Sequence, residues 1–189
     1  AARRETQEVE GRIVSLEALQ RAALGQGQGK VVDWLKSRGL EHSPRLAQQL
    51  SVDKGWDRAV ETVLGGYLEA VCVDSLDDVA GTPESLTGGT VTFFAGAQGP
   101  ASAGHSERTL RSRVHGPAGL DALFEGIVAT DTLHDALRLR PDLRAGQSVI
   151  TRDGIWIGPD WLRVSREKDA HEGVIEREER LRAERSALD

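Results

Sequence analysis

The sequence predicts a mixed α/β globule of the α+β kind, made of two similar halves and inserted at the tip of an antiparallel helical pair. Three observations predict it. One pattern of strands, turns and a short helix occurs twice in the middle of the chain. Both ends are rich in charge and spaced in heptads. Between them, β-branched and aromatic runs alternate with turn residues.

The composition sets the outer limits. The chain has 189 residues, of which 39% are hydrophobic and 4% aromatic. That length suits one domain or two small ones with a real core. A net charge of -6 gives no global positive field for nucleic acid or an anionic membrane, so any such contact needs a local basic patch. The single cysteine, Cys72, excludes an intrachain disulfide and any CxxC metal site, and it fits a reducing compartment. No apolar run reaches the roughly 18 residues of a membrane span. The N-terminus lacks the apolar region of a signal peptide. Met is absent even at position 1, which leads us to expect a piece of a longer or processed protein.

The first element expected is a helix over residues 1–26. Val9, Ile13, Leu16, Gln20 and Ala23 are spaced 4, 3, 4 and 3, the spacing of a coiled-coil seam, with Gln20 as a polar seam position. An ordinary amphipathic surface helix is the alternative. Residues 166–189 form the matching end. Val174, Leu181 and Leu188 are seven apart, and mostly Glu and Arg lie between them. One apolar position per heptad buries too little for an isolated helix, so this segment needs a partner. Residues 1–24 are the nearest candidate, and the pairing is antiparallel if the middle is compact.

Residues 27–39 join the coil to the globule. Gly25, Gly27 and Gly29 stop the first helix and predict a flexible exit. A phosphate loop fails here, because Val31 stands where Ser or Thr is required after Lys30 and no strand precedes the glycines.

The first half spans 40–95 and the second 119–165. "VCVDSLDDVAGTPESLTGGTVTFF" matches "VATDTLHDALRLRPDLRAGQSVIT" at constant offset. Val71 matches Val128, Asp74 matches Asp131, Leu76 matches Leu133 and Asp78 matches Asp135. Each copy reads as a strand, a capped short helix, a turn and a second strand. Ser75 with Asp78, and Thr132 with Asp135, sit at capping-box spacing. A helix precedes each copy, at about Trp56 to Leu64 and Gly119 to Phe124. Gly65 and Gly66 end the first, and "YLEAVCV" enters the core as a strand. Residues 96–118 connect the halves through a loop that begins with Gly, Ala, Ser and Pro. Arg108, Arg111 and Arg113 make its end basic, either as solvated charge or as a binding patch.

No catalytic constellation is present in the sequence. His42, His105, His115, His134 and His171 are scattered, with no HxH or HxxxH pair for a metal. Cys72 alternates with Val71 and Val73 and reads as a small core residue. Trp34, Trp56, Trp156 and Trp161 are each open to a core or an interface reading.

With these residues on the page, the chain resembles the hinge of bacterial SMC proteins along essentially its whole length. In that family a Gly-Trp/Tyr-x-x-Ala-Val-Glu helix precedes a Leu-Gly pair and an apolar strand ending in Asp. The corresponding positions are Gly55, Trp56, Ala59, Val60, Glu61, Leu64, Gly65 and Asp74. "GGTVTFFAG" is similar to the strand closing the first half, and "ITRDGIWIGPDWLRV" to the strand-turn-strand closing the second. "EGVIEREERL" resembles the return into the coil. Gly154 and Pro159 match the family pattern. The paired glycines that follow in many members are replaced by Asp160, Trp161, Ser165 and Arg166, so this edge is expected to pack differently.

The resemblance implies a homodimerising hinge that joins two coiled-coil arms of a chromosome condensation and segregation ATPase. ATP and Mg would be held by head domains outside this chain, where kleisin-type subunits are also expected. The chain itself is then no enzyme and needs no cofactor or metal, and its place is cytoplasmic and nucleoid-associated, with no membrane contact. The expected dimer interface comprises Val91, Phe93, Gly154, Trp156, Gly158, Pro159 and Trp161, with the strand edges at "VTFF" and "IWIG" as pairing partners. From Leu40 to Ser165 there are 11 Lys and Arg against 17 Asp and Glu. Against that acidic body, Lys30, Lys36, Arg38, Arg163, Arg166 and Lys168 form a basic set where the coil meets the globule. Weak, sequence-independent DNA contact and ordinary solvated charge both account for that set. A zinc-hook tip is excluded by the lone cysteine. A small α/β ligand-binding or enzymatic domain with helical flanks is the other alternative, and it would need a pocket of converging polar groups.

Overall fold

The structure is a computed structural model and describes residues 2–27, 29–96, 106–166 and 170–188. Helix α1 runs from Ala2 to Ala23. Its expected seam is the covered face. Ile13 and Gln20 are buried, and Val9, Leu16 and Ala23 are half-buried. The junction is not merely a flexible exit, because Lys30–Ser37 form helix α2 and bury Leu35. Apolar Val31, Trp34 and Leu35 on one side of this short segment gain a face to pack, which offsets the cost of ordering it.

Strand β1 (Ser51–Val52) leads into helix α3 (Asp57–Leu64), which buries Ala59, Val60, Glu61 and Leu64. Gly65 ends α3 at φ 47, a conformation that favours glycine. The strand expected over "YLEAVCV" is shorter than its sequence suggests. Gly65–Glu69 continue as a 3-10 turn, and only Val71–Cys72 form β2. Strand β3 (Phe93–Phe94) pairs parallel with β2, Val71 opposite Phe93.

The helix expected in the first repeat copy is absent. Ser75 Oγ accepts from the Asp77 amide in a turn, and the segment holds only a 3-10 turn at Pro83–Ser85. Gly81 and Pro83 interrupt this copy, whereas its counterpart runs Ala-Leu-Arg-Leu-Arg without a breaker.

The connecting segment acquires structure before the second half. Its first residues, 97–105, lie outside the described residues. Leu110–Arg113 form a 3-10 turn, and β4 (Val114–His115) pairs antiparallel with β1. Helix α4 (Leu120–Phe124) follows, then β5 (Ile127–Thr130), helix α5 (Leu133–Leu139), β6 (Ser148–Thr151), β7 (Trp156–Ile157) and β8 (Leu162–Arg163). Thr132 caps α5 by accepting from the Asp135 amide at 3.2 Å, as its spacing predicts. The sheet order is β5-β6-β7-β8, with β5 and β6 parallel and the rest antiparallel. Both halves therefore close a parallel strand pair, and the duplication survives as topology.

The halves share their packing. Leu46, Val60, Leu64, Leu68, Phe124 and Ile150 belong to one core that also takes in Leu24 from the end of α1, and Val174 and Ile175 from helix α6 (Val174–Ser186). A smaller cluster of Ala136, Val149, Ile155 and Ile157 lies under α5. Adjacent residues of β6 thus serve the two clusters, Ile150 one and Val149 the other, as strand alternation requires.

Helix α6 returns along α1. Gln20 meets Val174 at the start of α6, and Arg12 meets Glu184 near its end, so the helices are antiparallel. Val174 and Leu181 lie in the seam as expected. Leu188 does not, because α6 ends at Ser186 and Leu188 is exposed.

Candidate protein–protein and nucleic-acid interface

Each half presents an open strand edge among the described residues. Strand β3 has β2 on one side and no strand on the other among the described residues. Strand β8 likewise has only β7 as a neighbour. The "IWIG" segment is not an edge. It forms β7, which is paired on both sides, so the strand available for pairing in the second half is β8.

The apolar surface follows that edge. Trp161, Leu162 and Val164 are 45%, 52% and 46% exposed. An exposed strand edge carrying large apolar side chains is a feature that monomeric proteins avoid. Trp161 is held edge-on to Trp156, ring centroids 5.4 Å apart at 84°. Trp156 is half-buried and donates from Nε1 to Ser148 Oγ at 2.9 Å. Gly158 makes the arrangement feasible, since a Cβ there would collide with the Trp161 indole. Gly158 and Gly154 are buried against their own chain, Gly154 against Arg58 and Thr62, so neither offers surface to a partner. Pro159 is half-buried beside them. On the first-half edge, Phe93 is half-buried with its ring 6.2 Å from that of Trp34. Val91 is half-buried and precedes the strand rather than belonging to it.

Trp56 falls on the core side of its two readings. It is 2% exposed and has the guanidinium groups of Arg113 and Arg152 over its ring. Arg111 is also consumed internally. It donates to Asp121 Oδ1 at 2.6 Å and to the Val114 carbonyl at 2.6 Å. The Arg108, Arg111 and Arg113 run is therefore not one solvated patch.

The basic set divides into two groups. Lys30 and Lys36 are exposed on α2, and Arg38 follows it, donating to Ser85 Oγ and lying over the Trp34 ring at 5.8 Å. Arg163 is on β8 opposite Trp156, with Arg166 exposed beyond it. Lys168 lies outside the described residues. One group thus borders the first half and the other leaves the second half.

Several polar groups at the coil junction were not legible as a site. Glu61, 6% exposed, accepts from the amides of Gly173 and Ile175 at 3.1 Å each, so α3 caps the start of α6. Burial raises its carboxyl above the usual range against the pull of those two amides. Asp57 is raised as well, by burial and then by Glu179. Arg58 donates to the Ser165 carbonyl at 3.2 Å and lies 3.7 Å from Glu172. His171 is 2.6 Å from Glu69. A carboxylate within the apolar stripe of α3, at Glu61, was the available signal. Among the described residues no group of His, Cys, Asp and Glu could hold a metal. Burial pushes the Cys72 thiol up to about 11, which suits a core residue rather than a nucleophile. No helix of the described residues is long and apolar enough to cross a membrane.

Comparison with known proteins converges on one family. The model for the SMC proteins' flexible hinge domain matches residues 40–140. The chain is 42% identical over 169 residues to the chromosome partition protein Smc of Coxiella burnetii, covering 89% of this chain and 14% of that protein. It is 37% identical over 164 residues to the Smc protein of Xanthomonas oryzae, again spanning 14% of it. The crystal structure of an asymmetric dimer of the Geobacillus stearothermophilus SMC hinge domain superposes with a TM-score of 0.72 at 22% identity, over 99% of this chain and 83% of that one. The Pyrococcus furiosus Smc hinge domain with an extended coiled coil gives 0.52 at 19% identity, over 98% of this chain and 74% of that one. A fold-back coil, two parallel strand pairs and a family match across more than half of the residues agree: the chain belongs to the SMC flexible hinge domain family.

Proposed function

We propose that this chain is the homodimerisation hinge of a chromosome-partition SMC protein, and that it joins two coiled-coil arms. The observation that carries this reading is the open edge of β8 with Trp161, Leu162 and Val164 exposed beside it. A second open edge, β3, lies in the other half. A two-fold pair can then set β3 of each protomer against β8 of its partner, giving two equivalent contacts and a closed ring. Catalysis belongs to ATP-hydrolysing heads at the far ends of the arms, where Mg and kleisin-type subunits also act, and the hinge works in the cytoplasm on the nucleoid. The relatives named as chromosome partition proteins, and a dimer among the similar structures, support this reading.

Sedimentation or light-scattering mass over a dilution series tests it. We expect twice the chain mass at high concentration and the single-chain mass on dilution. Trp161→Asp is expected to raise the dissociation constant by about 30-fold or more, as loss of an aromatic hot spot does. Wild-type mass behaviour in that variant would place Trp161 outside the dimer contact.

DNA contact is the second part of the proposal. Lys30, Lys36 and Arg38 lie together at α2, next to the coil and on an otherwise acidic body. Binding through such a patch is weak, independent of sequence and steeply reduced by salt. Changing all three to Glu is expected to abolish binding at low salt and to leave the dimer mass unchanged. Undiminished binding in that variant would remove α2 from the contact.

A further inference from the structure

The outgoing end of β8 and the first turn of α6 are tied together by one helix. Arg58 and Glu61 stand one turn apart on α3. Arg58 donates from Nη2 to the carbonyl of Ser165, two residues past the edge strand, and its Nη1 lies 3.7 Å from Glu172. Glu61 is buried and holds the amides of Gly173 and Ile175. On its other side, α3 closes on the turn that leads into β7. The position a Cβ of Gly154 would occupy is 3.1 Å from Arg58 Cγ and 2.7 Å from Thr62 Oγ1. α3 therefore touches the β6–β7 turn, the limb leaving β8 and the beginning of the C-terminal coil helix.

We propose that α3 is a coupling strut that transmits the state of the β8 edge to α6. This rests on the reading of β8 as the strand to which a second copy of the chain pairs. An added strand orders β8 and the limb after it, which places the Ser165 carbonyl. Arg58 then holds that carbonyl and Glu172 at once, and Glu61 keeps the first turn of α6 on the same rigid helix. Without the partner, the Ser165 contact has less to order it and the start of α6 opens more often. Both coil helices enter the same core, α1 through Leu24 and α6 through Val174 and Ile175. Leu24 is fully buried in the main core and its carbonyl accepts from Arg45 Nε at 3.3 Å, neither contact involving β3 or β8. A change at β8 thus reaches the first turn of α6 through α3.

Amide hydrogen exchange at Gly173 and Ile175 reads the strut directly, because both amides donate to Glu61. The full chain is measured at concentrations where mass shows dimer and where it shows monomer, as wild type and as Arg58→Gln. In wild type, protection of these amides is expected to fall about tenfold when the dimer dissociates. In Arg58→Gln, protection is expected to be low at both concentrations, with the amides of Val149 and Ile150 in β6 still protected to show that the fold is intact. A wild-type chain that dimerises, yet whose Gly173 and Ile175 protection ignores dilution, overturns the coupling and leaves the dimer standing. A chain that stays monomeric at every concentration overturns the dimer reading and the coupling with it. Equal dilution dependence in Arg58→Gln and wild type removes Arg58 from the path and overturns the strut as stated.

Discussion

Gln20 of α1 and Glu178 of α6 meet inside the coil seam, with Gln20 Nε2 donating to Glu178 Oε2 at 3.1 Å and to the Val174 carbonyl at 2.9 Å. Arg177 Nε completes the group by donating to Gln20 Oε1 at 3.1 Å. Both seam residues are buried, at 3% and 6% exposure. A polar pair in an otherwise apolar seam fixes register, because any slip leaves both members buried without partners. The ion pairs farther along the coil, such as Arg12 with Glu184, are more exposed and contribute little by comparison.

The first prediction concerns this register. Gln20→Leu removes the hydrogen bond to the buried Glu178 carboxylate, leaving it the Arg182 guanidinium at 3.9 Å, and is expected to cost about 1–3 kcal/mol in chemical denaturation. Gln20→Leu combined with Glu178→Leu is expected to recover that loss, since well-packed apolar residues replace a buried polar pair at little cost. The double variant should lose register specificity. Cysteines at Leu16 and Leu181 are expected to cross-link within one chain in the native background, and the same pair should share its yield with neighbouring positions once the polar pair is gone. A double variant as unstable as Gln20→Leu alone would show that packing around Glu178 cannot accept Leu.

The second prediction separates the two repeat copies. Thr132 caps a real helix, so Thr132→Ala is expected to lower stability by about 1 kcal/mol, read as a drop in Tm. Ser75 occupies the matching place but only closes a turn, so Ser75→Ala is expected to stay within about 0.5 kcal/mol. Equal losses at the two positions would mean that the first copy also depends on its cap.

A third prediction follows from Cys72. Burial raises its thiol from 9.0 to about 11 in the folded chain. The unfolded chain therefore releases this proton first as the pH climbs. Stability from the neutral buried thiol is complete below pH 9 and is lost as the pH rises through about 11. Comparison of wild type with Cys72→Ala isolates the effect from other alkaline titrations. The advantage of wild type over the variant is expected to shrink across that interval, and a constant difference would place the thiol in water when folded.

Much of this fold is legible in local pattern. The spacing of Val9, Ile13, Leu16, Gln20 and Ala23 marks the covered face of α1, because one helix period decides which side chains share a side. The α3 stripe and its glycine stop, and the Thr132 cap, are equally local. Where the reading missed, the competing signal was local as well but opposite in sign. Ser75 offers a cap, yet Gly81 and Pro83 remove the helix it would start. Three glycines promise a flexible exit, yet Val31, Trp34 and Leu35 beyond them find a surface to cover and form α2.

Strand order was beyond the sequence. "IWIG" and "WLRV" are both short apolar runs near a turn, and nothing in either says which lies inside the sheet. Pairing with β6 on one side and β8 on the other decides it for β7, and only then do Trp161, Leu162 and Val164 become an edge.

Amino-acid order determines the helical ends, their seam, the repeated unit and the place of the turns, since each depends on residues within one or two turns of one another. The contacts of Gln20 with Glu178, Glu61 with Ile175 and Arg58 with Ser165 span more than a hundred residues each. A carboxylate on an apolar helix face reads as a flaw until the chain returns and presents two amides to it. Long-range burial makes such groups matter, because an unpaired polar atom away from water costs more than any local preference can return.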